Sequence, residues 1–284
     1  MDTLPRTVRL VIFDLDGVVY RGAVPVPGIV ELVAALHGAG THVRFATNNS
    51  MVERAGYVER LAAMGILTVR DEIVTSTSAT VEHLRRSEAP YRRLMAVGAP
   101  GMVAELAAAG YEAVAAADAA PDGYAGAPLR ERYDAVVVGL DPQFDYQRLA
   151  AATAAIRGGA RFIATNADRR YPTAVGFVPG AGAMVAAIAA AAEVEPEVIG
   201  KPAPAMFEAI VAAADVAPSE AVVIGDNPDA DVVAARRAGI ASILVLTGIA
   251  DEPMVASLSG DRVPDAVAAD PAEVAALLAP RLTA

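Results

Sequence analysis

The stretch Leu10-Val11-Ile12-Phe13-Asp14-Leu15-Asp16-Gly17-Val18-Val19-Tyr20 joins an unbroken apolar run to two acids and a glycine. Apolar residues without alternation fit a strand covered on both faces, as in a parallel sheet. Asp14 and Asp16 stand two apart, so on an extended backbone their side chains point the same way. Gly17 supplies the positive φ of a turn. At the mouth of a strand, such a pair gives one carboxylate a metal to bind and the other a proton to move. The same letters also suit a plain acidic turn.

Four more short apolar runs carry no alternation: Val43–Thr47, Val136–Val138, Val222–Ile224 and Ile243–Leu246. Helical patterns lie between them. Ile29, Leu32, Val33 and Leu36 recur at helical spacing, with Pro27 ahead and Gly38 and Gly40 behind. A second helix is expected to open at Ser50, with Glu53 completing a capping box, and to stop near Gly65. This alternation predicts an α/β fold with a doubly wound parallel sheet. Ligands of such sheets bind beyond the carboxyl ends of the strands.

Three further strand ends or turns carry chemistry-bearing residues. Thr47-Asn48-Asn49-Ser50 brings a hydroxyl, side-chain amides and N–H groups to an expected helix start, which suits an anion or a simple N-cap. Gly200-Lys201-Pro202 holds the only lysine among 23 basic residues. A chain that otherwise uses arginine keeps one compact ammonium where a planar fork would not fit. Gly225-Asp226-Asn227-Pro228-Asp229-Ala230-Asp231 puts Asp226 at a strand end and Asp231 at the following helix start, with Asp229 read as surface. Together these segments supply a nucleophilic carboxylate, an acid/base, oxygen ligands for a metal, a phosphate cradle and a cation.

The chain has 284 residues, room for one large domain or two smaller ones. Cysteine is absent, which excludes disulfides, thiolate metal sites and a cysteine nucleophile. With 55% hydrophobic and 20% charged residues, wholesale disorder is excluded. A formal net charge of −11 makes the chain a poor partner for nucleic acid or anionic lipid. The start shows no basic region ahead of a long apolar stretch, and the apolar run Ala181–Ala192 is too short to span a bilayer. A soluble cytoplasmic protein is the expectation. His37, His42 and His83 lie outside every motif.

In these motifs the sequence resembles the haloacid dehalogenase (HAD) superfamily, and within it subfamily IIA, the NagD-like and p-nitrophenyl phosphatase group. Asp14-Leu15-Asp16-Gly17-Val18-Val19-Tyr20-Arg21-Gly22 is similar to the family's first motif, Thr47-Asn48-Asn49-Ser50 to its second, Gly200-Lys201-Pro202 to its third, and Gly225-Asp226 through Asp231 to its fourth. Ala164-Thr165-Asn166-Ala167-Asp168 and Pro179-Gly180-Ala181-Gly182 also look like this group, with Ala167 where a proline is usual. The resemblance implies a HAD core, residues 1–78 and 180–284, interrupted by an α/β cap at 79–179. It further implies a Mg²⁺-dependent phosphatase for small phosphomonoesters such as sugar phosphates, glycerol phosphate, phosphoglycolate or nucleotides. Asp14 would be the nucleophile, Asp16 the acid/base, and Asp14, Asp16 and Asp226 the metal ligands, with Asp231 behind them. Lys201, Thr47, Asn48 and Asn49 would hold the phosphoryl group, while Asn166, Asp168, Arg169, Arg170 and Tyr171 of the cap would lean over the core, Asn166 and Tyr171 binding substrate and Tyr171 touching the leaving group. Homodimerisation through the cap belongs to the same expectation. The ordinary pKa of an aspartate is near 3.9, so Asp16 must either be raised by its site or gain a proton when substrate arrives.

The same residues would serve a phosphotransferase or mutase with another acceptor, or a sugar-phosphate binder without chemistry. A haloacid dehalogenase needs no second acid at position 16. A receiver-type signalling module would be about half this length and has no place for a cap.

Overall fold

The computed structural model describes residues 3–119, 129, 131–173 and 176–282. The chain forms two compact units, Met1–Thr47 with Arg54–Val74 and Lys201–Ala284, and Asn48–Glu53 with Thr75–Gly200. The segment expected as a cap, 79–179, falls in the second unit, and its residues 120–128, 130, 174 and 175 lie outside the described ones. Residues 180–200, expected with the core, also pack in the second unit. The helix Ala181–Ala192 buries Val185, Ile188 and Ala192 in that unit's apolar cluster. The strand Glu197–Val198 pairs with Arg161–Ala164.

The six strands of the first sheet stand in the order Ala266–Ala268, Ala241–Val245, Ala221–Gly225, Leu10–Asp14, His42–Thr47, Ile73–Thr75. The first strand pairs in parallel with both its neighbours. From it the chain steps outward through His42–Thr47 to Ile73–Thr75, then returns to build the other half from Ala221–Gly225. The direction of winding therefore reverses between Leu10–Asp14 and Ala221–Gly225, the place where doubly wound sheets open a crevice beyond their strand ends. Register sets Phe13 opposite Ile224 and Asp14 opposite Ala46.

The apolar runs are strands because both of their faces are covered. Leu10, Val11, Ile12 and Phe13 are all buried, and the Phe13 and Phe45 rings stack with centroids 5.9 Å apart. The helix Ile29–Gly38 buries Ile29, Leu32, Val33 and Leu36, the four residues its spacing singles out. The next helix departs from expectation: it runs from Arg54 to Ala63 and is not capped by Ser50. The Ser50 hydroxyl instead accepts the Leu140 N–H at 3.0 Å, inside the second unit.

In the second unit five strands stand in the order Glu197–Val198, Arg161–Ala164, Ala135–Val138, Arg93–Val97, Glu112–Ala115, and each adjacent pair is parallel. An antiparallel hairpin, Arg170–Thr173 with Gly176–Pro179, follows the Arg161–Ala164 strand. Both sheets are parallel and flanked by helices, an α/β fold in which a second α/β unit is inserted into the first. Among the described residues no helix is long and apolar enough to cross a membrane.

Replacing Phe13 by Ala should cost about 3–5 kcal/mol of stability, as for other buried Phe side chains. Urea unfolding of the purified protein would read this as a large fall in midpoint. A loss below about 1 kcal/mol would mean the site collapses around the gap.

Candidate active site

Asp14 ends the first strand, and Lys201 reaches it from the other side of the chain's long insertion. The Lys201 ammonium donates to Asp14 Oδ1 at 2.5 Å and to Asp231 Oδ1 at 2.7 Å. The side chains of Lys201 and Asp231 are 4% and 2% exposed, so these pairs are made almost without water. Asp231 sits on the helical turn Pro228–Val232, and its other oxygen accepts the Asn227 N–H at 3.1 Å. The Asn227 side chain in turn accepts the Asp229 N–H at 3.0 Å, while Asp229 itself is at the surface and pairs with Arg262 at 2.7 Å.

Asp226 completes the cluster. Carboxylate oxygens of Asp14, Asp226 and Asp231 lie within 4.8 Å of one another. Three carboxylates and one ammonium leave two negative charges uncompensated in a desolvated place, which disfavours full ionisation. Burial raises Asp14 well above the usual carboxylate range; Lys201 opposes this, and Asp231 and Asp226 add to it. Burial, then the Asp231 charge, pushes Asp226 up to about 7 against the lowering effect of the Ile249 N–H. Lys201 is affected the opposite way: burial favours the neutral amine, but Asp14 and Asp231 more than offset it and keep the ammonium charged. Crowded all-oxygen donors suit a hard divalent cation, and the residues present fit one such as Mg²⁺.

Asp16 follows on the turn. Gly17 has φ +84°, and its N–H donates to the Tyr20 carbonyl at 2.8 Å. Asp16 stands at the exposed rim, where the protein around its base raises its pKa and the Arg60 and Lys201 charges pull it back. Thr47 is buried at the end of the neighbouring strand, one residue beyond the Asp14–Ala46 pair.

The remaining expected site residues come together in the second unit. Asn166 Nδ2 donates to the Asn48 carbonyl at 2.7 Å. Asn49 Nδ2 donates to the Tyr171 hydroxyl at 3.4 Å. Thr47-Asn48-Asn49-Ser50 does not open a helix, because Arg54–Ala63 begins further on.

Sequence reading missed one element, Thr247-Gly248-Ile249, which follows the strand Ala241–Val245. The Thr247 hydroxyl donates to the Gly17 carbonyl at 2.6 Å, and the Ile249 N–H donates to Asp226 Oδ2 at 2.8 Å. Arg21 Nε donates to the Thr247 carbonyl. A Cβ at Gly248 would stand 1.8 Å from Asp226 Oδ2, and one at Gly17 would stand 2.2 Å from the same atom. Two glycines thus leave the volume that the Asp226 carboxylate fills. The apolar run ahead of Thr247 was the available signal, since it marks one more strand end. Arg60 was also missed: it donates to the Gly22 carbonyl at 2.5 Å and lies 3.9 Å over the Tyr20 ring.

Residues 11–112 match the haloacid dehalogenase-like hydrolase model and residues 198–274 the HAD-hydrolase-like model. The chain is 34% identical to human glycerol-3-phosphate phosphatase over 85% of its length and 80% of that protein. It is 32% identical to phosphoglycolate phosphatase 2 of Arabidopsis thaliana, over 87% of this chain and 85% of that one. Its fold superposes with a TM-score of 0.83 on the Mycobacterium tuberculosis glycerol phosphate phosphatase solved in complex with magnesium. That match has 32% identity and covers 94% of this chain and 76% of that one. The chain belongs to the haloacid dehalogenase-like hydrolases, in the NagD-like subfamily IIA.

Gly248→Ala should displace the Asp226 carboxylate and weaken divalent-cation binding by about tenfold or more, the scale seen when groups that orient a metal ligand are disturbed. Cation-induced rises in Tm would measure it. Gly38→Ala, where a Cβ meets nothing within 4 Å, should leave binding unchanged. Equal behaviour of the two variants would sink the assignment.

Proposed function

We propose that this protein is a Mg²⁺-dependent phosphatase of small phosphomonoesters, working through an aspartyl phosphate on Asp14. The observation that carries the reading is the Lys201 ammonium held between Asp14 and Asp231 at the point where the sheet reverses. Relatives named for glycerol-3-phosphate, phosphoglycolate and acid sugar phosphatase activity support a small phosphomonoester as substrate.

Asp14, Asp226 and the Asp16 main-chain carbonyl would hold Mg²⁺, with Asp231 behind them. When bound, the ion offsets the carboxylate charge and draws electron density from a phosphoryl oxygen. Lys201 engages Asp14 Oδ1, which leaves Oδ2 to attack. The Asp14 oxygen forms its bond to phosphorus as the ester P–O bond breaks, dividing one hard displacement into two. Asp16, whose raised pKa favours a carried proton, gives it to the departing alkoxide. It then takes a proton from the water that attacks the aspartyl phosphate, and inorganic phosphate leaves as Asp14 is regenerated. Thr47 and the N–H groups of Asn48 and Asn49 take the phosphoryl oxygens, with Lys201 balancing charge. Tyr171 would touch the leaving group, while the Asn166 amide, which donates to the Asn48 carbonyl and accepts the Asp168 N–H, holds the loop in place.

Purified protein should hydrolyse p-nitrophenyl phosphate and small natural esters with Mg²⁺ and lose activity in EDTA. Asp14→Asn should lower kcat by at least about 10³-fold, as loss of a nucleophile does. Lys201→Arg should lower it by about 10²-fold, because a planar fork does not replace a compact ammonium between two carboxylates. Normal turnover by Asp14→Asn would overturn the mechanism. Added alcohol acceptors should yield free phosphate and no transfer product.

Asp226 at about 7 also sets a pH dependence. A carboxyl raised in the folded state binds its proton more tightly than in the unfolded chain. Through the interval from about 4 to about 7 the metal-free fold therefore loses stability as pH rises. The cation must displace that proton, so Mg²⁺ should raise Tm more at pH 8 than at pH 5.5. Asp226→Asn should remove most of that difference.

A further inference from the structure

The segment Asn48–Glu53 follows directly on the strand that ends at Thr47, yet it packs as part of the second unit. Its attachments come from separate elements of that unit. The Ser76 hydroxyl and Asn166 Nδ2 both donate to the Asn48 carbonyl at 2.7 Å. Asn48 Nδ2 donates to both carboxylate oxygens of Asp168, at 3.2 and 3.1 Å. A Cβ at Gly200 would stand 2.7 Å from Asn48 Oδ1, so the amide is also confined from its other side.

Asp168 is itself fixed. Its N–H donates to Asn166 Oδ1 at 3.1 Å, and its carbonyl accepts the Gly182 N–H at 2.9 Å, at the start of the helix Ala181–Ala192. Three residues on, Tyr171 takes the Asn49 amide. Adjacent asparagines of one loop are thus tied to neighbouring residues of a single segment, and the contact to Asp168 is the charged one. Hydrogen bonds to an ionised acceptor are the stronger kind. Asp168 carries no step of the reaction described above.

We propose that Asp168 is a positioning residue for phosphate recognition: it orients Asn48 and so fixes the N–H groups that this loop offers to the phosphoryl oxygens. The proposal rests on the phosphatase reading of the site. Asp168 touches neither substrate nor the reacting atoms, so its effect falls on binding of the phosphoryl group more than on the chemical step.

The test is a double-mutant cycle on the full-length Mg²⁺-loaded enzyme, reading KM and kcat for p-nitrophenyl phosphate and competitive inhibition by inorganic phosphate. Asp168→Ala should raise KM and the phosphate inhibition constant together by about tenfold, the size of a lost charged hydrogen bond. Its kcat should change by less than about threefold, within the scatter expected once binding is saturated. Asp168→Asn, which keeps an acceptor oxygen, should recover most of the loss. Asn48→Ala should match Asp168→Ala, and the double variant should be no worse than either. Additive losses, an unaltered phosphate inhibition constant or a fall confined to kcat would overturn the role. If Asp168→Ala does not fold, Asn48→Ala alone makes the test: it should raise KM and the phosphate inhibition constant together by about tenfold, and an unaltered inhibition constant or a fall confined to kcat would overturn the role. A wild-type protein that hydrolyses nothing and is not occupied by phosphate would instead overturn the phosphatase reading, and this role with it.

Discussion

Three carboxylates gathered around one ammonium, at the seam of a parallel sheet, are what the rest of this molecule has to support. Asp14, Asp226 and Asp231 repel one another, and Lys201 neutralises only one of the three charges. Such a cluster has a natural tendency to spread or to take up protons. The fold resists spreading by setting the acids on the ends of rigid elements. Asp14 closes a strand whose other four residues are buried, and Asp226 directly follows a fully buried one. Proton uptake is the remaining outlet, seen in the raised pKa values of Asp14 and Asp226.

The sheet topology explains why distant parts of the chain meet here. Winding outward twice from a central strand leaves one gap where no crossover covers the strand ends. The residues around that gap are short or absent where space is needed. Gly17 and Gly248 both face the Asp226 carboxylate at distances that exclude a Cβ. The neighbouring polar groups are satisfied by backbone partners, as the Ile249 N–H on Asp226 and the Thr247 hydroxyl on the Gly17 carbonyl illustrate. Electrostatic preorganisation of this kind requires the scaffold to be settled before any ligand arrives.

Much of this was legible in the amino-acid order, for identifiable reasons. Unalternating runs such as Leu10–Phe13 and Val222–Ile224 are strands because burial on both faces leaves no polar positions. The lone lysine stood out against an arginine-rich background, and it is the cation found between two carboxylates. Other features were hidden because tertiary contacts decide them. Ser50 has the local pattern of a helix cap, but its hydroxyl is used by Leu140, ninety residues away in sequence. The strand Arg93–Val97 starts on the second of two adjacent arginines and ends in Ala96 and Val97, too short a run for periodicity to separate strand from helix. Residues 180–200 read as core, yet they pack in the second unit, where the strand Glu197–Val198 completes the other sheet. Contacts such as His83 Nε2 to Glu197 Oε1 at 3.1 Å leave no mark in local sequence either.

The loop Asn48–Glu53 has a consequence for anyone who exchanges parts among relatives. Its neighbours in sequence lie in one unit while its hydrogen-bond partners lie in the other. A chimera that swapped only Thr75–Gly200 would strand this loop among foreign partners, with its amides and carbonyls chosen for side chains no longer there. The transplantable module is discontinuous: six residues of loop must travel with the larger insert, although the sequence keeps them apart.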